Sequence, residues 1–188
     1  AVGDVQVTLN CYRNIDTAQA YGNERGVGQG VRESGVPRGE LFVSTKLAAE
    51  IKDYDGAVAA IDGSLETMGL DYVDLMLIHA PQPWDDFRGG TYDEGNLAAW
   101  QALEEAFHAG KVKAIGVSNF LERDLDNIID NAVVTPHVNQ ILVHAGNTPA
   151  ALIDYCRDKG IVVEAYSPIA HGEVLDNPQV TTLAEKDG

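Results

Sequence analysis

The chain has 188 residues, 45% of them hydrophobic and 22% charged, a balance that suits one globular domain spanning residues 1–188 with a sizeable core. Its formal net charge of −16 leaves no basic surface to neutralise phosphate, which argues against nucleic acid or an anionic membrane as a partner. No apolar run approaches membrane-spanning length and no charged segment precedes an apolar one at the amino end, so no span or signal peptide is expected and a cytoplasmic setting is.

In chain order, a first strand over about 12–16 ends in Asp16, and Tyr21 follows in a loop closed by Gly22. Residues 23–34 read as a helix capped by Asn23, with Val27 and Val31 on one face. Its glycines Gly26, Gly28 and Gly30 lack the GxGxxG spacing and no strand runs directly into them, so they are expected to permit close packing against the sheet rather than to cradle a dinucleotide. A second strand, 41–45, delivers Lys46, and a helix over 55–68 repeats Val58, Ile61, Leu65 and Met68. The third strand, 73–78, is a continuous apolar run of the kind buried in parallel sheets, and it delivers His79.

The longest irregular stretch, 81–93, comes next. It holds Trp84, Phe87 and Arg88, and an aromatic-bearing loop on the carboxyl rim of a sheet reads as a substrate-pocket wall built from Trp84 and Phe87. Helices over 95–109, 121–130 and 148–159 then alternate with strands over 113–117, 136–140 and 161–166. Gly35, Gly69, Gly110 and Gly160 stand where helix C-caps belong. Cys11 and Cys156 have no metal-type spacing and read as small buried hydrophobes, and the five histidines form no HxH or HExxH pattern, so no metal is expected.

Three strand ends thus bring Asp16, Lys46 and His79, with Tyr21, toward one carboxyl edge, where α/β barrels keep their chemistry. Each has a purely structural reading too: a strand-end turn for Asp16, a rim aromatic for Tyr21, a solvated lysine for Lys46, a satisfied histidine before Pro81 for His79. Their joint occurrence, in order, with GVSNF (116–120), Asn139-Gln140 and AYSP (165–168), resembles the aldo-keto reductases, particularly bacterial members related to 2,5-diketo-D-gluconate (diketogulonate) reductase.

That resemblance implies an α/β (β/α)8 TIM barrel and an NADPH-dependent reduction of small aldehydes, ketones or keto-sugars, with NADH left open as cofactor. Tyr21 would donate the proton, Lys46 would tune it, Asp16 would hold Lys46, and His79 would orient the substrate oxygen. Two unit charges at about 4 Å interact by about 4 kcal/mol at an effective dielectric of 20, so Lys46 is expected to lower the Tyr21 pKa by up to about three units. By the same carry-over Ser118, Asn119 and Gln140 would bind the nicotinamide carboxamide and Tyr166 would stack on its ring. In many relatives a Trp follows the histidine, where this chain has Ala80.

Such a barrel takes about 250 residues, and six strands are in view. The resemblance makes the first and eighth the missing ones, so the domain is expected to be incomplete at both ends, and the residues that grip an adenosine 2′-phosphate are unassigned. The chain is expected to be a monomer if full length, its oligomeric state being open otherwise. Two alternatives stand beside the reductase: a non-catalytic nucleotide-binding protein on the same scaffold, and a truncated chain that needs a partner for the missing strands.

Overall fold

The computed structural model describes residues 12–187, so Cys11 lies outside the described residues. Six parallel strands, β1 (Asn14–Asp16), β2 (Phe42–Leu47), β3 (Leu75–Ile78), β4 (Ile115–Ser118), β5 (Val138–Leu142) and β6 (Val162–Tyr166), lie side by side in chain order. Between and after them run α1 (Glu24–Glu33), α2 (Tyr54–Met68), α3 (Asp93–His108), α4 (Glu122–Asn131), α5 (Ala150–Asp158) and α6 (Pro178–Asp187). Each parallel pairing needs a crossover, and the helices supply it. The sheet curls. In a flat sheet β1 and β5 would be roughly 19 Å apart, yet Gln140 Nε2 on β5 donates to Asp16 Oδ1 on β1 at 3.2 Å.

Alternation along the strands sorts the side chains into two layers. Val43, Leu47, Met76, Ile78, Ile115 and Val117 face the helices and pack with Val27, Ile61, Met68, Trp100, Leu103, Leu125 and Ile128. β3 is buried at every position, which is why its sequence is an unbroken LMLI. The opposite phase, which carries Lys46 and Ser118, turns into the concave face. The expected glycine caps hold: Gly35, Gly69, Gly110 and Gly160 all have positive φ.

Two local expectations are corrected. Asn23 sits at the N-cap position of α1, but its side chain caps no helix N–H; Thr17 Oγ1 donates to its Oδ1 instead. Gly28 does allow a close approach, though to the end of the neighbouring helix rather than to the sheet, since a Cβ there would lie 1.9 Å from the Met68 carbonyl oxygen. Cys156 is buried in α5, as expected of a small hydrophobe. No helix among the described residues is long and apolar enough to cross a membrane.

Candidate active site

Asp16 closes β1, and the chain turns at once into a short 3-10 helix, Gln19–Tyr21. The Gln19 side chain pins that turn to the next unit: its Nε2 donates to the Ala60 carbonyl at 3.0 Å and to Ser64 Oγ at 2.9 Å, while Ala48 N donates to its Oε1 at 2.8 Å. Gly22, with φ of 64°, ends the turn in a conformation that glycine adopts without strain. Tyr21 is thereby held at the rim, 52% exposed.

Lys46 enters the same space from β2, one residue before the strand ends, so the strand runs beyond its expected limit. Its side chain is 1% exposed, which rules out a solvated lysine, and Nζ donates to Asp16 Oδ2 at 2.6 Å and to the Thr17 carbonyl at 2.9 Å. Nζ lies 5.2 Å from the Tyr21 ring centroid. His79 is the first residue past β3, its ring edge-on to Tyr21 at 5.7 Å and to Trp84 at 5.1 Å between centroids.

The electrostatics depart from the simplest expectation. Burial, and then the Asp16 carboxylate, push the Tyr21 phenol above its ordinary value, so the expected lowering by Lys46 does not occur. The physical reason is proximity: Lys46 is bound directly to Asp16, and the two opposite charges largely cancel at the ring. Tyr21 is a neutral phenol, able to give a proton. Burial first, and then the Lys46 charge, lower the His79 pKa to about 4, so the imidazole is neutral near pH 7. Its Nδ1 is buried without a partner among the described residues. A buried N–H is left orphaned more rarely than an acceptor, which favours the tautomer with the proton on Nε2.

A cavity of about 230 Å³ lies between Asp16, Tyr21, His79 and Trp84 on one side and Ser118, Asn119, Gln140, Tyr166 and Ser167 on the other. These polar groups are chained together. Ser118 Oγ donates to the Gln140 carbonyl at 2.9 Å, Asn119 Nδ2 donates to Ser118 Oγ at 3.1 Å, and Tyr166 OH donates to Asn119 Oδ1 at 2.8 Å. Asn119 and Ser167 both hold positive φ, 63° and 50°, a strain that the surrounding contacts must fix. Glu164, beside Gln140 on the adjacent strand β6, is half-buried with its carboxyl pKa raised, mainly by burial.

The geometry therefore gathers all four residues of the predicted quartet and all four predicted amide- and ring-contacting residues. Phe87 stands apart: it packs on Trp84 at 5.3 Å between centroids and does not line the cavity. Asn139 turns toward the helices, donating to the Phe120 carbonyl at 3.0 Å. The sequence reading assigns no role to Gln19 or Ser167, and Arg88, noted there only as part of the aromatic loop, donates from Nη2 to the Asn119 carbonyl at 2.8 Å. Only Ser167 carried a signal, as part of AYSP. Among the described residues no group of three or more His, Cys, Asp or Glu could hold a metal ion.

The profile of the aldo/keto reductase family matches residues 7–184. Glyoxal reductase of Bacillus subtilis is 45% identical over 177 residues, covering 94% of this chain and 60% of that protein. A crystal structure of an aldo/keto reductase from Brucella melitensis superimposes with a TM-score of 0.88 at 38% identity, over 98% of this chain and 68% of that one. A Bombyx mori aldo-keto reductase in complex with NADP gives 0.84 at 38% identity, over 98% and 65%. The chain spans about 60% of the length of the curated relatives it matches.

Proposed function

The chain belongs to the aldo/keto reductase family, and on that premise we propose that its site reduces the carbonyl of small aldehydes, ketones or keto-sugars with NADPH. The observation that carries the reading is the convergence of a neutral phenol and a neutral imidazole on one small cavity, with a buried ammonium bound to the cavity's Asp16. The cavity fits a nicotinamide: Tyr166 offers a ring face, and Ser118, Asn119 and Gln140 offer the donors and acceptors that a ring carboxamide needs. When bound, the reduced nicotinamide supplies a hydride to the carbonyl carbon. The NADP complex of the Bombyx mori relative supports the phosphorylated dinucleotide, and the name of the Bacillus subtilis relative supports a small dicarbonyl substrate.

The chain's own residues do the rest. His79 donates from Nε2 to the carbonyl oxygen and holds it toward Tyr21, polarising the bond without giving up its proton. As the oxygen gains negative charge, the Tyr21 phenol protonates it, a downhill transfer because an alkoxide is a stronger base than a phenolate. Lys46, kept in place by Asp16 and the Thr17 carbonyl, offsets the Asp16 charge that would otherwise oppose the phenolate left behind, until solvent returns the proton. Trp84 walls the cavity beside His79.

Titration with NADPH and NADH, followed by nucleotide fluorescence, and turnover with glyoxal test the proposal. NADPH should bind more tightly, and Tyr21→Phe should lose turnover while keeping nucleotide affinity, as expected of a group that acts in the transition state. Retained turnover in Tyr21→Phe, or failure of both nucleotides to bind, would sink it.

A further inference from the structure

Where the chain leaves β3 it must find partners for carbonyls that no neighbouring strand can serve, and Pro81 adds none of its own N–H groups. Three side chains from three different elements meet three consecutive carbonyls. Asn119 Nδ2 donates to that of His79 at 3.0 Å, Lys52 Nζ to that of Ala80 at 2.8 Å, and Asn96 Nδ2 to that of Pro81 at 2.9 Å. Lys52 Nζ also donates to Asn96 Oδ1 at 2.8 Å, which ties two of the three together. Two residues back along the chain from Lys52, Glu50 Oε1 accepts from Trp84 N at 3.4 Å. Gly95 completes the arrangement: a Cβ there would lie 2.7 Å from the Lys52 carbonyl oxygen and 2.8 Å from its Cβ, so only glycine lets the start of α3 come this close.

We propose that Lys52 is a positioning residue for His79: from the β2–α2 connection it clamps the Ala80 carbonyl, and through Asn96 that of Pro81, so fixing the imidazole and the Trp84 wall relative to Tyr21. The inference rests on the reading of His79 as the group that orients the substrate oxygen. Lys52 is an unusual choice for a purely structural tie, because burial opposes its charge and lowers its pKa to about 8, with Glu50 and Asp124 the carboxylates that offset this in part. An apolar residue would avoid that penalty but could not hold both acceptors.

Lys52→Met keeps the length of the side chain and removes the donors. In the full chain, the His79 imidazole resonance, assigned by its loss in His79→Gln, should titrate about one unit or more above the wild-type protein as the segment loosens and the ring hydrates. Turnover of glyoxal should fall by about ten- to a hundredfold in kcat, with NADPH affinity unchanged because Ser118, Gln140 and Tyr166 are untouched. If the wild-type protein turns over no carbonyl, the reductase reading fails while the imidazole titration still decides the clamp. A folded Lys52→Met whose His79 titrates as in the wild type overturns the proposal. Should that variant fail to fold, the same titration in Gly95→Ala decides it, with a raised value supporting the clamp and an unchanged one refuting it.

Discussion

Both edges of the sheet hold an ion pair of nearly the same length, and they do opposite things with it. At the carboxyl edge Lys46 meets Asp16 at 2.6 Å, and at the amino edge Arg38 meets Asp74 at 2.7 Å. Arg38 also donates to the Leu41 and Tyr72 carbonyls, lies over the Tyr72 ring and lines a cavity with Arg32 and Asp71, while Asp74 accepts from Val43 N, so the lower pair stitches β2 to the approach of β3. Lys46 makes two hydrogen bonds of the three its ammonium can donate and lies 5.2 Å from the ring of Tyr21, which lines the upper cavity with Asp16 and His79. An ion pair says little by its length; the upper pair stands beside a phenol and an imidazole that line one cavity, and the lower pair does not.

Swapping each cation for Met is the strongest way to break this comparison. Lys46→Met should lower kcat by about a thousandfold or more. It should cost only about 1–2 kcal/mol in unfolding: Asp16 and the Thr17 carbonyl lose a donor, but less than for a fully buried pair, because Asp16 keeps its 36% exposure and its bond to Gln140. Arg38→Met should do the reverse, costing about 2–3 kcal/mol in urea unfolding as Asp74 and two carbonyls lose a partner, with kcat of the folded protein unchanged. Equal losses of turnover in the two variants would erase the distinction.

Much of this was legible beforehand. Apolar runs such as LMLI, each followed within a residue or two by a polar side chain, gave strand positions within two or three residues, and curling the sheet was enough to gather Asp16, Lys46 and His79. What escaped were groups defined by reach rather than spacing. Gln19, Lys52 and Asn96 act through long or bifunctional side chains across 15 to 45 residues of sequence, and no periodicity marks them. The sign of the Tyr21 shift escaped for a related reason. Lys46 was legible as a neighbour of Tyr21, but how completely Asp16 offsets it depends on a contact of a few ångströms. Helix α6 and the 3-10 segments carried too little pattern to be anticipated.

The carboxyl edge also keeps two bases whose burial works against their charge, which sharpens the contrast through pH. Lys52 titrates near 10.5 unfolded and about 8 folded. Across that window the unfolded chain binds more protons, so stability should rise with pH between 8 and 10.5, by about 2 kcal/mol. His79 gives the same sign lower down: its contribution is fully present above 6.5 and lost as pH falls toward 4. Urea unfolding at pH 8 and pH 10 should show the upper rise in the wild-type protein and not in Lys52→Met. A flat profile in both would mean that Lys52 is better hydrated than its contacts imply.

The smallest expected effect isolates the Asp16 carboxylate itself. Asp16 is one of the two causes that raise the Tyr21 phenol, and it is also the charge that offsets Lys46. Asp16→Asn removes the negative charge while an amide oxygen can still accept from Lys46, so the ammonium should act on the ring without an opposing charge and the phenol pKa should fall. Ultraviolet titration of the tyrosinate, with Tyr21→Phe as the subtraction, reads it directly. A fall would mean that the carboxyl edge holds its phenol neutral by pairing the very cation that could ionise it. No change would place the whole rise in burial, and the two edges would then differ in solvent access more than in charge.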